Sequence, residues 1–298
     1  MSVVVPAVVL EGATLAAEIR AQVAARIIGL RARGVTPGLA IVTVGEPPSG
    51  NPYVRAKLRA AEELGAAASV VRLAAGATEG EVRARLQALN ADPAVHGIIL
   101  QVPLPSHLRD DRHLEDVSPA KDLDGVHPLN VGRWTNGLPA HRPATPLGVI
   151  ELLRRHVGDL SGKRVAVLGR SRIVGRPLSI LLSAREPGMN ATVTLCHSET
   201  RHLDSIAREA EILIVAMGRR HAIRAEQIRP GAVVIDVGIH PNPHPVPGGP
   251  RYSGDVDFES ACRVASAVTP VPGGVGPMTV AMILRNLVDA AEASLGGA

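Results

Sequence analysis

Arg164-Val165-Ala166-Val167-Leu168-Gly169-Arg170-Ser171-Arg172-Ile173-Val174-Gly175-Arg176-Pro177 reads as a buried strand, a glycine turn and the opening of a helix, and its reading decides the fold. An apolar run bounded by glycine suits a strand covered on both faces. Gly169 permits the tight turn and Gly175 the close approach of the helix, whose first N–H groups face an anion. The pattern is not G-x-G-x-x-G: Ser171 replaces the middle glycine and the last interval is one residue longer. A generic strand-to-helix loop would use glycines too, so the turn takes its meaning from its surroundings.

Downstream, the periodicity predicts strands over 192–196, 212–216, 233–237 and 264–268, with helices from 175 and over 203–209 and 280–293. Several buried strands with a glycine turn after the first describe a dinucleotide-binding domain. Upstream, a helix is expected over 13–33, with Leu15, Ile19, Val23, Ile27 and Leu30 at helical spacing and Gly34 as its stop. Strands over 39–44, 69–73 and 95–102 alternate with helices over 53–64 and 79–89. Residues 116–146 read as a long connection rich in Pro, Gly and Asn, followed by a helix over 147–156. The expected fold is α/β: two open parallel-sheet domains, the second of Rossmann type, with a cleft between them. The division runs 1–145, joined by the C-terminal helix 277–298, and 146–276.

Composition narrows the function. The chain has 298 residues, a net charge of +4 and a sequence pI near 9.6, with one Trp, one Phe and two Tyr. There is no basic run interleaved with aromatics, so no nucleic-acid partner is expected. Cys196 and Cys262 are isolated, which leaves neither a disulfide framework nor a zinc spacing, and no metal is expected. The run over 3–10 lacks a basic leader and is interrupted by Pro6, so it is not read as a signal peptide. No apolar stretch is long enough to span a bilayer, and a soluble cytoplasmic enzyme without a membrane partner is expected.

Cofactor choice follows from charge. NAD enzymes usually carry Asp or Glu at the end of the second strand of the fold. Here that end reads Cys196-His197-Ser198, with Glu199 one place later, while Arg170 in the glycine turn and Ser198 suit a 2′-phosphate. NADP is therefore favoured; the competing reading lets Glu199 bond the ribose. His197 has no partner at ligand spacing and is read as lining a phosphate pocket. Asp236 and Asp255 sit at strand ends with no assigned chemistry.

Of the 32 basic residues only Lys57, Lys121 and Lys163 are lysines. Arginine stays protonated, so a retained lysine is a candidate for proton transfer. Tyr53 lies four residues before Lys57, on the same helical face. A flat substrate beside a titratable amine fits this pair; a solvated lysine above a half-buried tyrosine is the alternative. Strand ends should bring Gln101 toward Lys57, and the long loop could add Asp124. Amine, amide and carboxylate around one aromatic plate suit a heterocycle with amidine-like donors. Lys57 serves as a base only if burial lowers its pKa.

Six ordered segments together resemble the bifunctional methylenetetrahydrofolate dehydrogenase / methenyltetrahydrofolate cyclohydrolase family over essentially the whole chain. They are Val44-Gly45 with Tyr53-Val54-Arg55-Ala56-Lys57; Gly97-Ile98-Ile99-Leu100-Gln101-Val102-Pro103-Leu104-Pro105; and Lys121-Asp122-Leu123-Asp124-Gly125-Val126-His127-Pro128. The other three are Gly169-Arg170-Ser171 with Val174-Gly175-Arg176-Pro177; Cys196-His197-Ser198; and Pro270 to Thr279, which includes Pro272-Gly273-Gly274. The resemblance implies NADP-dependent oxidation of 5,10-methylenetetrahydrofolate and hydrolysis of the methenyl cation to 10-formyltetrahydrofolate, in one-carbon metabolism and purine biosynthesis. It makes Lys57 the general acid/base, tuned by Gln101, with Asp124 anchoring the pterin edge and Tyr53 stacking on the folate. Pro272, Gly273 and Gly274 would line the substrate cleft. Gly169, Arg170, Ser171, Val174, Gly175, Pro177, His197 and Ser198 would hold the cofactor. A homodimer is implied as well.

Two positions depart from the family pattern. Gly50, beside Ser49, stands where a serine is usual, and Pro143-Ala144-Thr145-Pro146 replaces Pro-Cys-Thr-Pro. The competing functions are a related two-domain NAD(P) dehydrogenase acting on another small acid and a non-catalytic nucleotide-binding protein.

Overall fold

The computed structural model describes residues 7–45, 52–242 and 251–296. In chain order, β1 (Val8–Val9) and α1 (Gly12–Ala32) precede β2 (Gly38–Val44), α2 (Pro52–Glu63), β3 (Ala67–Leu73), α3 (Glu79–Ala91) and β4 (Gly97–Leu100). Then come α4 (Asp110–Glu115), α5 (Pro128–Thr135), α6 (Ala144–His156), β5 (Arg164–Leu168), α7 (Gly175–Ser183), β6 (Thr192–Cys196), α8 (Leu203–Glu209) and β7 (Ile212–Val215). The chain ends with β8 (Val233–Asp236), β9 (His240–Pro241), β10 (Tyr252–Ser253), α9 (Phe258–Cys262), β11 (Ala267–Val268) and α10 (Val275–Ser294).

Two compact units result: Met1–Ala16 with Thr145–Thr279, and Ala17–Ala144 with Val280–Ala298. In the unit of Ala17–Ala144, three parallel strands run in the order β3-β2-β4, and every residue of β2 is buried. The heptapeptide is uniformly apolar or small because both of its faces are covered. Helix α1 presents Ile19, Val23, Ile27 and Leu30 to the core. It ends at Gly34, whose φ of 80° lets the N–H of Gly34 and Val35 reach the carbonyls of Arg31 and Leu30. That is the left-handed cap a glycine supplies. Helix α3 opens on a reciprocal capping box: Thr78 Oγ1 accepts from Glu81 N–H, and Glu81 accepts from Thr78 N–H at 2.7 Å.

The other unit carries six parallel strands in the order β1-β11-β8-β7-β5-β6. β5 lies between β6 and β7, so the chain changes direction across the sheet there, and the carboxyl ends of β5 and β7 flank a topological switch point. The division by sequence ran from residue 1 in the first domain; β1 instead pairs with β11, placing Val8 and Val9 on the edge of the dinucleotide-type sheet. A two-residue edge strand has too few positions to show a period.

The loop expected over 116–146 is partly helical. A 3-10 turn occupies Pro119–Lys121, and α5 starts with Pro128 at its first position, where the missing N–H costs nothing. His127 Nδ1 accepts from Leu129 N–H at 3.0 Å and caps it. Only Asn130 and Trp134 of this eight-residue helix are buried, so no apolar repeat announces it. Three short features, α4, α9 and the antiparallel β9–β10 pairing, were also outside the sequence reading, and α10 begins five residues before the expected 280.

Candidate active site

Helix α2 buries Val54, Ala60 and Ala61 and turns Tyr53 and Lys57 outward, one turn apart. Tyr53 is 42 % exposed and Lys57 is half-buried. Gln101 follows β4 and stays in register, its N–H donating to Val42 O at 2.9 Å. Its side-chain amide is held at both ends: Nε2 donates to Val102 O at 3.0 Å, which leaves Oε1 to accept from Lys57 Nζ at 3.4 Å. The contact is long, as pairs that tighten on ligand binding often are.

Asp124 reaches the same place because the loop before it is pinned. Asp122 is buried and accepts from His127 N–H at 2.8 Å and Asn130 Nδ2 at 3.0 Å, while Leu123 packs fully buried over Gly97. A Cβ on Gly97 would overlap the Leu123 side chain. From α10, Asn286 Nδ2 donates to Leu123 O at 2.8 Å and Arg142 O at 3.0 Å. Burial pushes the Asp124 carboxyl up, the Lys57 charge pulls it back down, and the Asp122 charge adds to the rise. Among the described residues no hydrogen bond occupies the Asp124 carboxylate, so its oxygens remain available to a donor-rich edge. Lys57, Gln101 and Asp124 are thus brought together in one unit.

The other two lysines have structural work. Lys121 Nζ donates to Leu89 O at 3.2 Å and Asp92 O at 2.7 Å, closing the end of α3, and Lys163 lies 4.0 Å from Glu211.

In the six-stranded unit a depression opens at the carboxyl ends of β5, β6 and β7. Gly169, Arg170, Ser171, His197 and Ser198, all expected from sequence, line it. Gly169 has φ of 117°, and a Cβ there would strike Ala216 O; a Cβ on Gly175 would strike Gly169 O. Ser171 Oγ accepts from Val174 N–H at 3.1 Å and Gly175 N–H at 3.4 Å, so the serine itself caps the start of α7. Val174, Gly175 and Pro177 sit at that helix start, outside the lining, with Pro177 buried. Glu199 is exposed, outside the lining, and its N–H donates to His197 Nδ1 at 3.2 Å. The glycine turn, Arg170 and Ser198 on one rim fit a phosphate-bearing dinucleotide. Met217 and Arg219 line the same depression, and sequence reasoning missed them; the only signal was their place just past the strand end.

Pro272 is exposed and joined to Val271 by a cis peptide bond. Gly273, at φ of 112°, accepts through its carbonyl from Gly12 N–H (2.9 Å) and Ala13 N–H (3.2 Å), and Gly274 packs against Gly12. The visible use of these glycines is close backbone packing at the start of α1. Asp236 and Asp255 pair with backbone donors: Asp236 accepts from three N–H groups, and burial pushes its carboxyl up to about 7 even though those hydrogen bonds pull it down. Ser49 and Gly50 lie outside the described residues. Ala144 is buried in the first turn of α6. No group of three potential metal ligands occurs among the described residues, and none of their helices is long and apolar enough to cross a membrane.

The fold and these two groups define an α/β protein with a dinucleotide-binding sheet and a separate lysine–amide–carboxylate site. A family model described as the tetrahydrofolate dehydrogenase/cyclohydrolase catalytic domain matches residues 10–124, and one described as the NAD(P)-binding domain of the same proteins matches residues 143–295. The chain belongs to the tetrahydrofolate dehydrogenase/cyclohydrolase family. It is 46% identical to bifunctional protein FolD 2 of Geobacter sulfurreducens over 98% of this chain and 99% of that protein. The crystal structure of the bifunctional FolD methylenetetrahydrofolate dehydrogenase/cyclohydrolase of Campylobacter jejuni is similar, with a TM-score of 0.88 and 40% identity over 96% of this chain and 98% of that one. The Trypanosoma brucei dehydrogenase-cyclohydrolase, solved with NADP and an inhibitor, has a TM-score of 0.90 and 37% identity over 98% and 99% of the two chains.

Proposed function

We propose that this protein oxidises 5,10-methylenetetrahydrofolate to 5,10-methenyltetrahydrofolate with NADP and hydrolyses that cation to 10-formyltetrahydrofolate. The observation carrying the reading is the Lys57 Nζ–Gln101 Oε1 contact beside the half-buried Asp124 carboxyl, in a chain of this family. NADP, when bound, supplies the hydride acceptor. Gly169, Arg170, Ser171, His197 and Ser198 would hold it, with Arg170 and Ser198 as the groups for its 2′-phosphate. Asp124 accepts two parallel hydrogen bonds from the amidine-like pterin edge, and the Tyr53 ring stacks on the heterocycle.

In the hydrolytic step Lys57 takes a proton from the water adding to the methenyl carbon and returns one to the ring nitrogen as its bond to that carbon breaks, while the remaining hydroxyl proton is released to solvent as the formyl carbonyl forms. Gln101 fixes the amine through Oε1, since its Nε2 is already committed to Val102 O. An arginine at position 57 could not perform this exchange, because it does not release its proton. The same reading makes the protein a cytoplasmic homodimer that supplies formyl groups for purine biosynthesis, with neither nucleic acid nor membrane as partner.

Mixing the protein with methylenetetrahydrofolate and NADP tests it. Methenyl absorbance should rise and then fall as hydrolysis overtakes formation. A rise to a lasting plateau would remove the second activity, and no rise would remove the first.

A further inference from the structure

Behind one wall of the cofactor depression lies a buried anion that the chemistry above leaves unused. Asp255 is fully buried, and its carboxylate accepts four hydrogen bonds. Oδ2 takes the N–H groups of Met217 at 2.6 Å and Gly218 at 2.9 Å; Oδ1 takes Arg219 N–H at 2.8 Å and His240 Nε2 at 2.7 Å. Three consecutive N–H groups converging on one anion, with Gly218 at φ of 67°, form a nest of the kind that usually holds a ligand anion. Here a side chain of the protein fills it.

The arrangement is built in from several directions. Asp236 holds the backbone of Asp255 by accepting its N–H at 3.0 Å, together with those of Val256 at 2.8 Å and Gly238 at 2.9 Å. A Cβ on Gly238 would overlap the Asp255 carboxylate, and one on Gly254 would overlap that of Asp236. His240 comes from β9 and its side chain is 22 % exposed, so the side-chain donor to the buried carboxylate sits at the surface. On the other side of the nest, Met217 and Arg219 line the depression, and Ala216 O fills the space beside Gly169. The turn after β7 is therefore a wall of the depression on one side and is tied to Asp255 on the other.

We propose that Asp255, held by His240, is a positioning residue for cofactor binding: it fixes the Met217–Arg219 turn as a preformed wall of the depression without touching the cofactor. The proposal rests on the reading that this depression holds NADP. An amide at position 255 keeps the shape but has one acceptor oxygen, so either Arg219 N–H or the Met217–Gly218 pair loses its acceptor. A buried donor left unsatisfied is costly, and the cost falls on the conformation that binds.

The full-length protein is compared as wild type, Asp255→Asn, His240→Leu and His240→Gln. NADP affinity is read by calorimetry, NADP KM from NADPH formation, and the hydrolytic rate on methenyltetrahydrofolate without NADP. Asp255→Asn and His240→Leu should raise NADP Kd and KM about tenfold. His240→Gln keeps a donor and should stay near wild type, and hydrolytic kcat should change less than about twofold in all three. NADP Kd within about twofold of wild type in both Asp255→Asn and His240→Leu overturns the proposal. So does a hydrolytic loss equal to the dehydrogenase loss, the mark of a merely structural role. Should Asp255→Asn fail to fold, the His240→Leu and His240→Gln pair decides alone. A wild-type protein that binds no NADP overturns the reading of the depression instead.

Discussion

Replacing Lys57 by Met removes the titratable amine while keeping an unbranched stem of similar length on α2. The structural loss is one hydrogen bond, Nζ to Gln101 Oε1, at a half-buried position. Folding stability should therefore fall by only about 1 kcal/mol. The catalytic loss is larger, because a positioned proton-transfer group contributes roughly 10²–10⁴-fold, or about 3–5 kcal/mol of barrier. Hydride transfer needs orientation and no proton from Lys57, so NADPH formation should drop by less than about tenfold. A second effect runs through Asp124. The Lys57 charge opposes the upward push of burial on that carboxyl, and without it the carboxyl rises further. Folate binding by the ionised carboxylate should then improve with rising pH more strongly in the variant than in wild type. Initial rates of NADPH formation and of methenyl hydrolysis, each across pH, separate the two effects. Equal losses of both activities with an unchanged melting temperature would refute the assignment of Lys57 as base.

Other substitutions test the surrounding framework. Lys121→Met strips Leu89 O and Asp92 O of their donor and should destabilise the protein by about 1 kcal/mol in urea titration without changing either kcat, the opposite signature to Lys57. Gly97→Ala drives a methyl into Leu123 and should cost about 1–3 kcal/mol and raise the folate KM, because Asp124 moves with its neighbour. Arg170→Ala should raise the NADP KM about tenfold and leave the NAD KM nearly unchanged, with kcat/KM for the two cofactors as the readout. Asp236 has a folded pKa raised to about 7, so its contribution to stability is full below its unfolded pKa of about 3.9 and is lost as pH rises toward 7. Asp236→Asn lacks that dependence, and the gap in urea midpoint between wild type and variant should narrow from pH 5 to pH 7.5; a constant gap would contradict the shift.

Much of the fold was legible because buried parallel strands are written as uninterrupted apolar runs. The runs at Gly38–Val44, Gly97–Leu100 and Arg164–Leu168 need no partner to be recognised, and Gly34 and Gly169 mark their turns by the positive φ they adopt. Helix α5 was illegible because two buried residues cannot make a period, and β1 because a two-residue strand exists only through its pairing with β11.

The site divides along the same line. Residue chemistry narrowed 32 basic side chains to three lysines, the Tyr53 spacing picked out Lys57, and the family motifs tied it to Gln101 and Asp124, because arginine cannot release a proton and helical spacing is written in the chain. What Lys121 and Lys163 do depends on which carbonyls and carboxylates reach them. The roles of Asp236 and Asp255 depend on N–H groups from segments up to 38 residues away in the chain. Hydrogen-bond partnership across such separations leaves no local pattern in composition or spacing, so only the tertiary structure could decide which carboxylates are held in the framework and which remains available to a substrate.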